Sequence, residues 1–155
     1  MTIINQHIVI FSASPWDGMM FQRQRFALEF AKQNNVISFI ENIPQQKVTM
    51  ERVVRVLKGQ KNYLDSSLKI KKTESIEVFS PFCLPETVYL SKYYNRIVMK
   101  RLAKEILKKG RPSHYISYIP GQPVLDLQKY LQPVRFIYAS IHNYRGLGVS
   151  NSVVK

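Results

Sequence analysis

The chain has 155 residues, 45% of them hydrophobic, which suffices for one domain with its own core. Its sequence lacks the apolar run of roughly 18 residues that a membrane span needs. Its one cysteine, Cys83, excludes an internal disulfide and is typical of a reducing compartment, and the N-terminus lacks the basic segment of a cleaved signal peptide. Twenty-three Lys and Arg against 10 Asp and Glu give a net charge of +13, which indicates a polyanionic partner (nucleic acid, an anionic membrane face or an acidic ligand) or a longer protein whose other part carries compensating acid.

The opening of the chain predicts a strand, a loop, a helix and a second strand. The strands are the apolar runs His7–Phe11 and Val36–Ile40, and Phe21–Lys32 between them has apolar residues at helical spacing. Two strands joined by a helical crossover are parallel, and open parallel sheets bind their ligands at the carboxyl ends of the strands. We therefore expect Ser12–Gly18 and Glu41–Pro44 to share one functional rim.

The alternation of strand and helix continues through the rest of the chain. Val48–Leu57 has the apolar stripe of a helix, and the basic, irregular segment Lys58–Lys72 predicts a loop or a weak helix. Gly110 is expected to end the longest helix. The remaining predicted elements are a strand, a helix, a strand, a helix and a strand, over Ile76–Phe79, Thr87–Lys109, His114–Ile119, Val124–Leu131 and Val134–Ala139.

These elements predict one α/β domain over residues 1–145 and a tail over residues 146–155. The expected architecture is a three-layer, Rossmann-like domain with a parallel sheet of about five or more strands. No helix is predicted to cover the last strand, so we expect the chain to stop inside a larger architecture. The phosphate-binding loops G-x-G-x-x-G and G-x-x-x-x-G-K-[ST] are absent from the sequence, so we expect the sheet to serve another use.

Several short motifs follow one another along the chain. They lie at the ends of strands and the starts of helices, at Ser12–Gly18, Gln22–Phe26, Phe39–Pro44, Val78–Pro85, Arg111-Pro112, Tyr118–Pro120 and Phe136–Ala139. Their order and spacing resemble those of bacterial glycosyltransferases of the GT-B type, family-4-like, of the cell-wall or exopolysaccharide kind, whose first loop reads [F/H]-x-P-W-[D/N]-G before a helix that begins Q-R-P-Q-H-L. Gln24 stands at that family's proline, and Tyr138–Tyr144 lacks the carboxylates of its Y-D-x-x-D-[D/E]-[Y/F].

The resemblance implies an N-terminal, acceptor-binding domain. The whole enzyme would move a glycosyl group from a nucleotide sugar to a cell-envelope or polysaccharide acceptor, a glycan or a lipid-linked one. In such enzymes the nucleotide sugar binds to a separate C-terminal domain, where retaining members carry an E-x7-E pair that this sequence lacks. We therefore expect no cofactor in this domain, the C-terminal domain as its partner, no activity in isolation, and a place in the cytoplasm or on the inner face of the cell membrane.

The residues expected on the rim are polar or aromatic residues and a glycine that follow the strands. They are Trp16, Asp17, Gly18, Arg23, Glu41, Tyr118, His142 and Asn143. For Trp16 the alternatives are stacking on a sugar ring or on the partner domain and packing in the core. For Asp17 the alternatives are binding an acceptor hydroxyl and capping the first helix. Gly18 lets the loop approach a ligand or is a plain turn residue, and Arg23 reaches a phosphate or is solvated.

Catalytic residues are not assigned by the sequence. Of the three histidines, His142 follows the last strand on the expected rim and is the best placed for an acid–base or substrate contact, whereas His7 and His114 begin strands and are expected to be structural. No His, Cys, Asp and Glu cluster has the spacing of metal ligands, so no metal site is predicted.

A cationic patch is expected on the longest helix, formed by Lys92, Tyr93, Arg96, Lys100, Arg101 and Lys104. Tyrosines beside a basic amphipathic helix suit an anionic bilayer surface, and the other interpretation is a core-facing helix with a solvated back. The alternative function is a basic nucleic-acid-binding α/β module, although the sequence has no RNP, KH, zinc-finger or helix-turn-helix signature and no specific nucleic acid is expected. A flavodoxin- or response-regulator-like module ranks last, because the first strand ends without an Asp pair or a flavin phosphate loop.

Overall fold

A computed structural model describes residues 3–12, 14–17, 22–41, 68–73, 75–84 and 89–139. The strands and helices within these ranges are β1 (His7–Ser12), α1 (Gln22–Lys32), β2 (Val36–Glu41), β3 (Leu68–Thr73), β4 (Ile76–Pro81), α2 (Ser91–Leu107), β5 (His114–Ser117), α3 (Gln122–Leu131) and β6 (Arg135–Tyr138). The helix predicted over Val48–Leu57 and the tail over residues 146–155 lie outside the described residues.

One six-stranded sheet organises the domain, in the order β3-β4-β2-β1-β5-β6. Five of its strands are parallel, and β1 lies in the middle between β2 and β5. The chain moves outward from β1 first to one side and later to the other, which is the strand order of the doubly wound Rossmann folds. The predicted α/β class with a parallel sheet of about five or more strands is therefore confirmed.

The sixth strand corrects one prediction. The sequence predicts a loop or a weak helix over Lys58–Lys72, and this prediction is wrong for its last part. Leu68–Thr73 is a strand that pairs antiparallel with β4, from Leu68 opposite Pro81 to Thr73 opposite Ile76. The segment alternates Leu and Ile with Lys, which is the two-residue period of a strand. Lysines are common on edge strands because their charge discourages pairing with another chain. In this segment the lysines made the sequence look like a solvated loop, so the two-residue period was not recognised.

The sheet carries helices on both faces and so forms the middle of three layers. The side chains of β1 alternate between two buried clusters: Ile8 and Ile10 lie with Ala27 of α1, and Val9 and Phe11 lie with residues of α2 and α3. All six residues of β1 are buried, because a central parallel strand is covered on both faces. The continuous apolar run seen in the sequence is the result of this double covering.

Most element boundaries lie within a few residues of the predicted ones. In the described residues α2 begins at Ser91 rather than Thr87, and it ends at Leu107, after which Gly110 adopts a left-handed φ of +95° that favours glycine. β5 ends at Ser117, so Tyr118 belongs to the loop that follows it. The described helices include none with the length and apolar composition needed to cross a membrane.

Candidate functional site

The carboxyl ends of β1 and β5 mark the topological switch point of the sheet. The crossover after β1 passes through α1 to β2 and the crossover after β5 passes through α3 to β6, so the loops after these two strands lead to opposite faces of the sheet. In folds with this strand order, ligands bind in the crevice between two such loops. The loop after β1 contributes residues 14–17 to this crevice, and the loop after β5 contributes Tyr118 and the residues up to α3. We call the residues around this crevice the rim.

Two side chains from the first turn of α1 hold the loop after β1. The guanidinium of Arg23 donates from Nη1 to the Ser14 hydroxyl at 2.8 Å, and the Gln24 amide donates to the Pro15 carbonyl at 2.8 Å. The backbone N–H of Ser14 in turn donates to the Ser12 hydroxyl at 3.1 Å. Ser14, Arg23 and Gln24 are all at least nine-tenths buried, so the loop is fixed by polar contacts that water hardly reaches.

Glu41 at the end of β2 connects three strand ends. One of its carboxylate oxygens accepts a hydrogen bond from the backbone N–H of Trp16 at 2.5 Å, and the other accepts one from the Ser80 hydroxyl of β4. Because both oxygens are occupied by donors of the protein, the carboxylate acts as a clamp on the rim. Each carboxylate oxygen keeps a further lone pair, so the two bonds fix the position of the group without using all of its acceptor capacity.

Trp16 lies with its ring against the sheet. Its indole meets the Phe39 ring edge to face at a centroid distance of 4.8 Å and packs beside the cluster under α1, and the residue keeps part of its surface exposed. The ring is thus fixed in one orientation by the core, and its exposed part is available to a ligand on the rim. Asp17, next in the chain, is exposed.

Arg23 bridges the two loops of the crevice. Its guanidinium carbon lies 5.3 Å from the centroid of the Tyr118 ring, and its Nη1 donates to the Ser14 hydroxyl. Arg23 is 7% exposed and Tyr118 is 6% exposed. Burial raises the pKa of the Tyr118 phenol, against the opposing effect of the nearby Arg23 charge. The ring therefore stays neutral at neutral pH and presents a π face to the cation.

The structure brings four of the predicted rim residues together at the carboxyl edge of the sheet. Trp16, Arg23, Glu41 and Tyr118 lie at the carboxyl ends of the strands, and Asp17 follows Trp16 on the same loop. Gly18, His142 and Asn143 lie outside the described residues, so their predicted roles stay predictions. Reasoning from the sequence placed Ser14 in the expected rim segment without assigning it a role, and it assigned none to Gln24 and Ser80. All three orient the predicted residues.

The two described histidines lie at the opposite, amino-terminal edge of the sheet. The ring nitrogens of His7 lie 3.0 Å from the Gly110 carbonyl and 2.9 Å from the Ser38 hydroxyl. Burial lowers the pKa of His7, and burial also lowers that of His114. Both therefore have the structural surroundings expected of residues that begin strands. Across the described ranges, no three His, Cys, Asp or Glu side chains are grouped as a metal site would need.

The exposed face of α2 carries a line of cations, which we call the α2 stripe. Lys92, Arg96, Lys100 and Lys104 are exposed and follow each other at four-residue intervals, over about 18 Å of helix. Within the described chain these four take part in no ion pair, and the one acid of α2, Glu105, pairs with Lys108 at 2.6 Å. Like charges at this interval destabilise a helix, so the stripe has a cost that an anionic partner would offset.

Aromatic side chains lie beside the start of the α2 stripe, and Arg101 flanks it. Tyr89 is 97% exposed and Tyr93 is 70% exposed, whereas Tyr94 on the other side of the helix is buried in the core. Arg101 is half-buried. Because α2 follows β4, its first turn lies at the same edge of the sheet as the rim. Comparisons of the chain with protein-family models, with curated proteins and with solved structures found no match.

Proposed function

We propose that this domain binds the acceptor of a glycosyltransferase of the GT-B type. A separate domain would bind the nucleotide sugar, and the glycosyl group would pass to a hydroxyl of a cell-envelope or polysaccharide acceptor held on the rim. The observation that carries the proposal is the hydrogen bond between Trp16 and Glu41. It joins one residue from each of two motifs that resemble that family: Trp16 of Pro-Trp-Asp-Gly after the first strand, and Glu41, the first residue of Glu-Asn-Ile-Pro after the second.

The chemistry of the rim favours binding over catalysis. The clamped carboxylate of Glu41 is engaged by two donors, and the buried Arg23 and Tyr118 are suited to holding a ligand rather than to moving a proton. On this proposal the domain orients the acceptor hydroxyl towards the donor sugar, and the groups that stabilise the leaving nucleotide belong to the partner domain.

Glycan binding by the chain tests this proposal. Saturation-transfer NMR against a panel of neutral and acidic oligosaccharides should identify at least one bound class, and the same glycan should change the emission of Trp16, the one tryptophan of the chain. Glu41→Ala frees the loop after β1, and we expect it to weaken that binding, whereas Glu29→Ala should leave it unchanged because Glu29 is an exposed acid of α1 that pairs with Lys32. Absence of glycan binding, or equal binding by both variants, would contradict the proposal.

The α2 stripe supports a second part of the proposal, an anionic membrane as the surface on which the domain works. Each Lys or Arg near an anionic bilayer contributes roughly 1 kcal/mol, so the four cations of the stripe amount to about 4 kcal/mol, which approaches a thousandfold in affinity. The exposed rings of Tyr89 and Tyr93 suit the headgroup level. They lie at the rim end of α2, where a lipid-linked acceptor would reach the crevice.

Vesicle binding distinguishes the membrane from other anionic partners. We expect the chain to sediment with vesicles containing phosphatidylglycerol and not with pure phosphatidylcholine. Replacing the four cations of the α2 stripe with Gln should weaken this binding at least about a hundredfold. A charge-matched control, with Gln at the exposed Arg25, Lys32, Lys129 and Arg135, should have a much smaller effect.

The alternative function, a nucleic-acid-binding module, predicts the opposite outcome of the same comparison. Random oligonucleotides would then bind with a steep dependence on salt while anionic vesicles do not bind. The two quadruple variants have the same net charge, so a purely nonspecific attraction would weaken by similar factors in both. Equal losses of vesicle binding would therefore refute the stripe as a docking surface.

A further inference from the structure

Arg23 is a buried cation with no carboxylate partner among the residues that the structure describes. Its described neighbours are the Ser14 hydroxyl, at 2.8 Å from Nη1, and the face of the Tyr118 ring. No ion pair in the described part of the chain involves Arg23. Burying an arginine without a carboxylate costs free energy that a hydroxyl and a neutral ring offset only in part. Such a group is commonly completed by an anionic ligand.

The position of Arg23 places this buried charge in the crevice. Ser14 belongs to the loop after β1 and Tyr118 to the loop after β5, the two loops that flank the topological switch point. The guanidinium spans the distance between them. A ligand entering the crevice from the carboxyl edge of the sheet therefore meets this guanidinium between the two loops.

We propose that Arg23, with Ser14 and Tyr118, forms a binding site for a phosphate group in this crevice. The ligand class is a phosphate monoester or the terminal phosphate of a pyrophosphate. That the phosphate belongs to the glycosyl acceptor rests on the proposed function, and the anion site itself does not depend on it.

The geometry explains why phosphate is the anion favoured here. A guanidinium presents several N–H donors in one plane, and one of those of Arg23 is used by Ser14, so others remain for phosphate oxygens. The Ser14 hydroxyl accepts from Arg23 and keeps its own proton for a further phosphate oxygen. The Arg23 guanidinium carbon lies over the Tyr118 ring, 5.3 Å from its centroid, so the ring restricts where the guanidinium can move.

The fluorescence of Trp16 provides a direct measurement of binding. Trp16 is the one tryptophan of the chain and lies two residues after Ser14 on the same loop. We would titrate the chain with inorganic phosphate, with a sugar 1-phosphate and with the matched neutral sugar, at constant ionic strength. A short-chain phosphatidic acid below its micellar concentration adds a lipid phosphate, so the series separates a soluble sugar phosphate from a lipid headgroup.

Variants at two positions of α1 separate the site from general electrostatics. Arg23→Lys keeps the charge and loses the planar donors, and we expect phosphate affinity to fall about tenfold, with a larger loss in Arg23→Gln. Arg25→Gln removes an exposed cation from the same helix and should change affinity less than about twofold. If circular dichroism shows that Arg23→Gln does not fold, Ser14→Ala replaces it in the test. We expect Ser14→Ala to lower the affinity for phosphate about fivefold.

The outcomes separate this inference from the proposed function. Saturable phosphate binding that falls in the Arg23 variants and persists in Arg25→Gln supports the site. Equal affinities in Arg23→Lys, Arg25→Gln and the unaltered chain, or no saturable phosphate binding, would overturn it, even where glycans bind in a manner that depends on Glu41. Arg23-dependent binding of inorganic phosphate without any glycan binding would support the site and refute the acceptor role.

Discussion

Replacing Glu41 tests the rim geometry most directly, because one carboxylate holds both the loop after β1 and the end of β4. Hydrogen bonds to charged groups contribute about 1.5–3 kcal/mol each. Glu41 is half-buried, so water replaces part of what is lost, and we expect Glu41→Ala to lower the free energy of unfolding by about 3 kcal/mol for its two bonds to Trp16 and Ser80.

Glu41→Gln separates the hydrogen bonds from the charge. The amide oxygen of glutamine can accept from the Trp16 N–H while its NH₂ group donates to the Ser80 hydroxyl, so both contacts persist as neutral bonds. We expect a loss of only about 1 kcal/mol. Glu29→Ala is the control, because the Glu29 side chain is 63% exposed and its pair with Lys32 should contribute within about 0.5 kcal/mol.

Urea denaturation, followed by circular dichroism and by the emission of Trp16, measures these differences. The loop after β1 should loosen in Glu41→Ala, so the native emission of Trp16 should shift to longer wavelength as the indole gains contact with water. The order of stability should be the unaltered chain with Glu29→Ala, then Glu41→Gln, then Glu41→Ala. A Glu41→Ala variant as stable as Glu29→Ala, with unchanged native emission, would refute the clamp.

Three further predictions concern the core and its titrating groups. Leu102→Ala removes a fully buried side chain and should cost about 2–5 kcal/mol by urea denaturation, whereas Leu107→Ala, at a position 37% exposed, should cost far less. Burial lowers the pKa of His7 below its value in the unfolded chain, so as the pH falls the unfolded state takes up a proton before the folded state does. The free energy of unfolding should therefore decrease as the pH drops below about 6.5. The decrease should be less steep in His7→Gln. Burial raises the pKa of Cys83 to about 12, so at pH 8 the native thiol should react with a disulfide reagent far more slowly than the urea-unfolded chain, and equal rates would contradict this.

The sheet could be predicted from the sequence because its strands are buried on both faces. β1 and β2 are continuous apolar runs, and α2 shows its buried stripe at helical spacing, so the parallel crossovers follow from pattern alone. β3 was missed because an edge strand needs no continuous apolar run and its lysines resembled a solvated loop. Its pairing depends on β4, a partner that local sequence does not specify.

The rim was predictable in place and only partly in composition. Chain order and parallel pairing put Trp16, Glu41 and Tyr118 at one edge, as the structure shows. The burial of Arg23 and Gln24 was not predictable, because helical periodicity assigns polar side chains to solvent. On α1 the expectation is reversed: these two polar side chains are buried, whereas the apolar Phe26 is 42% exposed. These two polar side chains are buried because the first turn of α1 lies over the loop after β1, a tertiary contact that propensity does not encode.

The two cationic features of the domain impose a geometric condition on any single ligand that uses both. α1 and α2 cover opposite faces of the sheet, so Arg23 and the α2 stripe are separated by the sheet and by at least the thickness of a helix, about 10 Å. They approach each other at the carboxyl edge, where both helices begin. A bilayer along the whole α2 stripe would engage all four cations and leave a phosphate in the crevice beyond the headgroups. Contact through Tyr89 and Tyr93 at the rim end of α2 would bring the crevice to the membrane surface, with Lys100 and Lys104 farther from the headgroups and contributing less. An acceptor that is both lipid-linked and phosphorylated therefore either extends from a bilayer along the α2 stripe to the rim, or is reached by a domain tilted onto the first turns of α2. In the tilted arrangement, replacing Lys92 and Arg96 should weaken vesicle binding more than replacing Lys100 and Lys104.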